Sequence, residues 1–207
     1  MWTTVAAERG ALAEDLDRLT DEQWASRSLC EAWTIEDVVA HMTSTAQMTP
    51  PKFFAAFMVS GFNFPRFAEE GIKNHRGEDP LGTLANFRKQ QHSTKSPPGP
   101  RATWLGETII HAEDVRRPLG IVHEYPVDAV RQVIDFYKNS DTLIRARSRI
   151  DGLDLRATDT DWTHGQGPVV EGRLIDLLLA TTGRREALDH LAGEGLEAFR
   201  AHWAPHD

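Results

Sequence analysis

In the stretch GETIIHAEDVRRPLG, residues 106–120, Glu107, His111 and Asp114 are separated by four and then three positions. On an α-helix successive residues advance by about 100°, so these three side chains share one face. A carboxylate and an imidazole one turn apart can ligate the same divalent cation. Two ligands hold a cation weakly, and the sequence offers a third in His41, which follows the apolar run VVA and so sits on a helix expected to look inward. Two histidines and one carboxylate from two helices, with the remaining coordination positions left to water, make a catalytic rather than a structural site of the zinc type.

Spacing by itself leaves a plainer reading open, a hydrogen bond along a helix face. With nine histidines and 31 acids among 207 residues, about one acid-x-x-x-His pair is expected by chance. The sequence has three: Asp37/His41, Glu107/His111 and Glu186/His190. The last has no convincing third donor in its region and is expected to be a solvated contact on a helix face.

Other residues carry two readings each. Asp37 could orient His41 from behind, but it also stands three residues after Thr34, where it closes a capping box. Asp114 could hydrogen-bond a ligand or a substrate, or pair with Arg117. Arg116 and Arg117 lie near a helix C-terminus, where cations are favoured, and a guanidinium there could also clamp a substrate carboxylate. Trp33 reads as a core anchor between helices and Cys30 as a small buried filler. His75, His92, His123, His164, His202 and His206 fall in loops or polar ends and are expected at the surface.

The elements that would position these groups are mostly helical. Val5, Leu12, Leu16 and Leu19 recur at helical spacing, TDEQW opens a turn or short helix, and the helix carrying His41 starts near Thr34. PPKFFAAFMVSGF, PRFAEEGIKNHRG and DPLGTLANFRKQQHST each read as helical and are separated by proline or glycine, an elaborated crossover over residues 49–96. After the stiff SPPGP linker comes a helix from about Arg101 to Leu119, then one over YPVDAVRQVIDFYKNS. Beyond Asp141 the texture changes: LDLRATDTDW alternates, THGQGP supplies turn residues and VVEGR follows, which predicts two short strands joined by a hairpin. LIDLLLATTG is an apolar helix ended by Gly183, and RREALDHL and EGLEAFRAHW finish helically. The expected class is mainly α (α+β): a helical bundle over residues 1–142 and a small α/β segment over 143–207.

A formal charge of −8 with no basic block argues against nucleic-acid or anionic-membrane partners and for a small molecule. The N-terminal stretch lacks the apolar core of a signal peptide, and FFAAFMVSGF is too short to span a bilayer; it is either a core element or a contact surface, a homodimer contact among the options, and the oligomeric state stays open. A single cysteine permits no internal disulfide and fits a reducing cytoplasm.

LCEAWTIEDVVAHM followed far downstream by GETIIHAEDVRRPLG resembles the mycothiol-dependent maleylpyruvate isomerase family, a bacterial branch of the DinB-like metal-binding four-helix bundles. The resemblance implies a DinB-like bundle with helical crossover insertions and a divalent metal, Zn2+ by the chemistry of such a site, held by His41, Glu107 and His111. It further implies a C-terminal α/β domain ending in an apolar helix and a Gly-Arg pair, here Gly183 and Arg184, with Arg184 facing the active site. The implied activity is that of a metal-dependent thiol transferase or isomerase: the metal activates the thiolate of mycothiol, a low-molecular-weight cosubstrate, for attack on a small electrophile. The alternative class is a non-catalytic metal-containing bundle that binds a small molecule or serves as an interaction module.

Overall fold

The computed structural model describes residues 1–30, 32–142 and 144–203; His206 lies outside them. The chain divides into two compact units, Met1–Glu124 and Tyr125–Asp207. The division falls ahead of the helix Val127–Tyr137, which the sequence reading had joined to the bundle.

The first unit is helical throughout: α1 (Trp2–Leu16), α2 (Asp21–Ala25), α3 (Ile35–Gln47), α4 (Pro50–Val59), α5 (Phe64–His75), α6 (Pro80–Arg88) and α7 (Arg101–Arg116), with a 3-10 turn at Arg117–Leu119. Helices α1, α6, α3 and α7 close a ring in which each packs on two of the others, and α5 packs on the outer side of α3. The ring buries Val5, Leu12 and Leu16 of α1, Val38, Val39 and Met42 of α3, and Leu105, Ile109 and Val115 of α7. Local chemistry sets the helix ends. Thr34 and Asp37 form the expected capping box of α3, and Thr20 and Gln23 form another ahead of α2. Gly120, at φ 68°, terminates the turn after α7 in the left-handed region that glycine tolerates. Arg116, expected near a helix end with solvent or substrate, is fully buried and donates from Nε to Asp15 Oδ2 at 2.8 Å, tying α7 to α1.

The second unit holds α8 (Val127–Tyr137), α9 (Ala146–Arg149), β1 (Asp154–Ala157), β2 (Thr163–Gly165), β3 (Val169–Gly172), α10 (Leu174–Thr181), a 3-10 segment at Arg185–His190 and α11 (Leu196–Ala201). Every residue of α10 is buried, and it packs on α8, β1, β3 and the 3-10 segment. The expected two-stranded hairpin is a three-stranded sheet of order β2-β1-β3. The THGQGP stretch is not only turn: it contains β2, antiparallel to β1, while β3 runs parallel to β1. Gly165 and Gly167 allow this sharp change of direction. Both have positive φ, and a Cβ on either would lie 2.1 Å from a backbone carbonyl oxygen, of Leu153 and Gly152 respectively.

Candidate metal centre

The site is built on α3 and α7. His41 stands in the middle of α3, and Glu107 and His111 stand one turn apart on α7. Their ligand atoms all lie within 4.8 Å of one another, so the structure brings the spaced pair Glu107 and His111 together with His41 of the other helix. The rings of His41 and His111 have centroids 5.0 Å apart, edge to face.

Each member is held differently. His41 makes no hydrogen bond among the described residues, and neither of its ring nitrogens is engaged by them. Burial, and then the neighbouring charge of His111, push it down to about 3 against the opposing pull of Asp114, so it is neutral and keeps a lone pair. His111 is fixed through Nδ1, which lies 2.8 Å from Asp114 Oδ2. A carboxylate can only accept, so Nδ1 donates and the outward ligand atom is Nε2. Burial alone would lower His111, but the hydrogen bonds to Asp114 and Cys30 outweigh it and lift the group to about 10. Glu107 Oε1 accepts from Thr45 Oγ1 at 2.6 Å. The buried Arg9, whose Nη1 donates to the carbonyls of Gln90 and Ser93, feels the charge of Glu107; desolvation lowers the Arg9 guanidinium and Glu107 opposes it.

A tight loop delivers two further side chains. Ser28 N bonds Trp33 O at 3.1 Å, Trp33 N bonds Cys30 O at 2.7 Å, and Leu29 N is anchored on Asp114 O at 3.1 Å. The loop thereby sets the Trp33 ring 4.8 Å from that of His41 and 6.3 Å from that of His111. Trp33 is thus half-buried against the two imidazoles rather than a core anchor, and its other surroundings line a pocket of about 330 Å³ with Asp37, Ile72, Lys73 and Arg76. Cys30 is likewise no simple filler: its Sγ donates to Asp114 Oδ2 at 3.1 Å and lies 3.9 Å from His111 Nδ1. Cys30, His111 and Asp114 form a second group with metal-ligand atoms. They approach the imidazole from the Nδ1 side, however, and a carboxylate–imidazole hydrogen bond is how a ligating histidine is ordinarily oriented.

The remaining candidates have local roles. Asp37 Oδ2 accepts from Thr34 N and Oγ1, and Oδ1 accepts from Arg76, so the capping reading holds and no bond to His41 exists among the described residues. Arg117 Nε donates to Glu113 Oε2 at 2.6 Å. Arg184, in the second unit, donates from Nη1 to Thr182 O at 3.0 Å. Glu186 and His190 share no hydrogen bond or ion pair among the described residues: the segment winds as a 3-10 helix, where positions four apart diverge by about a third of a turn. His123, expected at the surface, places Nε2 2.8 Å from the buried Glu8. Thr45 and Arg9 were not singled out in the sequence. Thr45 carried a signal, its position one turn beyond His41 on the same face; Arg9 carried none.

Residues 5–105 match the family model described as the mycothiol maleylpyruvate isomerase N-terminal domain. They belong to that family. The matched segment includes His41 and ends just before Glu107 and His111. Two solved structures share the fold: the mycothiol-dependent maleylpyruvate isomerase, at 16% identity and a TM-score of 0.65, covering 93% of this chain and 91% of that one, and a point mutant of the same enzyme, at 15% identity with the same TM-score and coverage. Comparison with curated proteins gives no match. No helix among the described residues is long and apolar enough to cross a membrane.

Proposed function

We propose that the protein is a metal-dependent enzyme that uses mycothiol as a thiol cosubstrate, as a transferase or isomerase acting on a small electrophile in the cytoplasm. The observation that carries the metal part is the convergence of His41, Glu107 and His111 on a point where one imidazole makes no hydrogen bond among the described residues and the other is oriented by Asp114. The thiol part is supported by the family that residues 5–105 match and by the two structural neighbours, both mycothiol-dependent maleylpyruvate isomerases.

A bound divalent cation of the zinc type would supply a Lewis-acid position at which an outside thiol loses its proton near neutral pH. The chain's own residues do the rest. His41 offers a neutral nitrogen donor, His111 Nε2 becomes one when a cation displaces its proton, Glu107 offers a negative charge, and Asp114 keeps the His111 ring in one orientation. Trp33 packs an apolar ring beside His41 and within reach of His111. Cys30, occupied with Asp114 on the Nδ1 side of His111, leaves the nucleophile to the cosubstrate. Sulfur that adds reversibly to a double bond gives isomerisation, and sulfur that stays bonded gives conjugation.

Cobalt substitution tests this reading. Addition of mycothiol to the cobalt-loaded protein should bring new sulfur-to-metal charge-transfer absorption. His111→Ala should abolish it, and Cys30→Ser should leave it intact. A cobalt spectrum that ignores mycothiol but changes with another small molecule overturns the thiol part alone. Charge-transfer absorption before any thiol is added, lost in Cys30→Ser, would favour a closed, non-catalytic metal bundle.

A further inference from the structure

Glu107 is held by a side chain from the opposite helix, and resting on the metal reading above we infer that Thr45 is a positioning residue for it, fixing Oε1 so that Glu107 offers its other oxygen to the cation. Thr45 lies on α3 one turn beyond His41, so the face that contributes a ligand also contributes a hydroxyl aimed at α7. Its Oγ1 has two acceptors within reach, Glu107 Oε1 at 2.6 Å and Met42 O at 3.0 Å. A hydroxyl has one proton to donate. The shorter distance is that of an O–H donating to an ionised carboxylate, about 2.5–2.7 Å, and charge assistance makes that bond roughly twice as strong as a neutral one. The proton therefore belongs to Glu107.

The neighbouring Thr43 shows what a threonine does here without such a task. It is fully buried and donates back to Val39 O at 2.9 Å, the ordinary bond of a mid-helix threonine to its own helix. Thr45 forgoes that arrangement for a contact 62 positions away in sequence. The centre thus has a matched pair of supports: Asp114 orients His111, and Thr45 orients Glu107. Without the hydroxyl the carboxylate is free to rotate about its last bond and to present either one oxygen or both.

Three variants separate this role from simple packing. Thr45→Val keeps shape and removes the hydroxyl, Thr45→Ala removes it in a residue that favours helix, and Thr45→Ser restores it. Cobalt affinity, measured by competition with a chromophoric chelator, should fall by about 10–100-fold in Val and Ala, and Ser should return to within about threefold of the parent. The d–d absorption of the cobalt protein should change in intensity in Val and Ala and recover in Ser, while circular dichroism of the metal-free proteins confirms folding. Unchanged affinity and spectrum in both Val and Ala overturn the role of Thr45 and leave the metal reading standing, as does a Ser variant as weak as Val. A parent protein that takes up no cobalt overturns both.

Discussion

Helices α3 and α4 are consecutive, comparable in length and both rich in apolar residues, yet they are used in opposite ways. Nine of the thirteen residues of α3 are buried, and its start is fixed by a capping box. None of the ten residues of α4 is buried, its start is two prolines without a side-chain cap, and Phe54, Met58 and Val59 are more than half exposed. A ten-residue helix has little stability of its own in water, and tertiary packing normally supplies it. Packing of α4 runs through an aromatic cluster with α5 and the turn before it, in which Phe57 lies 4.4 Å from Phe64 and Phe53 lies 5.3 Å from Phe67. Apolar content therefore does not locate the core; closure of the helix ring does. His41, Glu107 and His111 sit on α3 and α7, two members of that ring, where packing holds side chains from several sides.

The largest effect expected from this contrast is on global stability. Met42 is fully buried in α3, and Met42→Ala removes a large side chain from a closed core, which costs about 2–5 kcal/mol. Chemical denaturation should show the loss as a lower midpoint with an unchanged slope. Native-state hydrogen exchange sharpens the same point: the amides of α3 should open only with global unfolding, and those of α4 should exchange through local opening at a much lower free energy. Protection of α4 equal to that of α3 would break the comparison.

The contrast also explains which parts of the molecule were legible in the sequence. Thr34 with Asp37 announced the start of α3 because a capping box is a contact between near neighbours, and the spacing of Glu107, His111 and Asp114 announced a shared face because one helix carries all three. That His41 meets them depends on ring closure between segments far apart in the chain, which no local pattern encodes; the family resemblance supplied it. The sheet was read as two strands because β2 is only three residues long and is written in turn residues. What makes it a strand is pairing with β1, and what bends the chain there is glycine at Gly165 and Gly167. The 3-10 winding of Arg185–His190 was hidden for the same reason, since RREALDHL has ordinary helical composition. Trp33 and Cys30 were misplaced because their positions come from a loop pinned to the α7 backbone at Asp114, a tertiary constraint.

A smaller effect is expected at the cap. Thr34 Oγ1 accepts from Asp37 N at 3.2 Å and donates to Asp37 Oδ2 at 2.8 Å. Thr34→Ala removes both and should cost about 1 kcal/mol. Because the loop carrying Trp33 ends at this residue, near-ultraviolet circular dichroism should register a change in the tryptophan environment along with the loss of stability. An unchanged stability would show that Asp37, through Arg76, holds the end of α3 without the threonine.

The smallest effect belongs to α4. Phe54 is 61% exposed and meets Phe53 edge to face at 5.5 Å. Burial contributes to stability in proportion to the apolar area removed from water, and Phe54 has little of it removed. An edge-to-face pair adds about 0.5–1.5 kcal/mol where both rings are well packed, and less where one lies in solvent. Phe54→Ser should therefore shift stability by no more than about 0.5 kcal/mol, the range of ordinary surface substitutions, while solubility rises as an exposed apolar patch shrinks. Denaturation at several protein concentrations checks it. A concentration-independent loss as large as that of the Thr34 cap would mean that Phe54 is covered within its own chain in solution. A loss that grows with protein concentration would mean that α4 is covered by a second copy, since only association makes stability depend on concentration. Either result would remove the contrast between α3 and α4 from which the prediction follows.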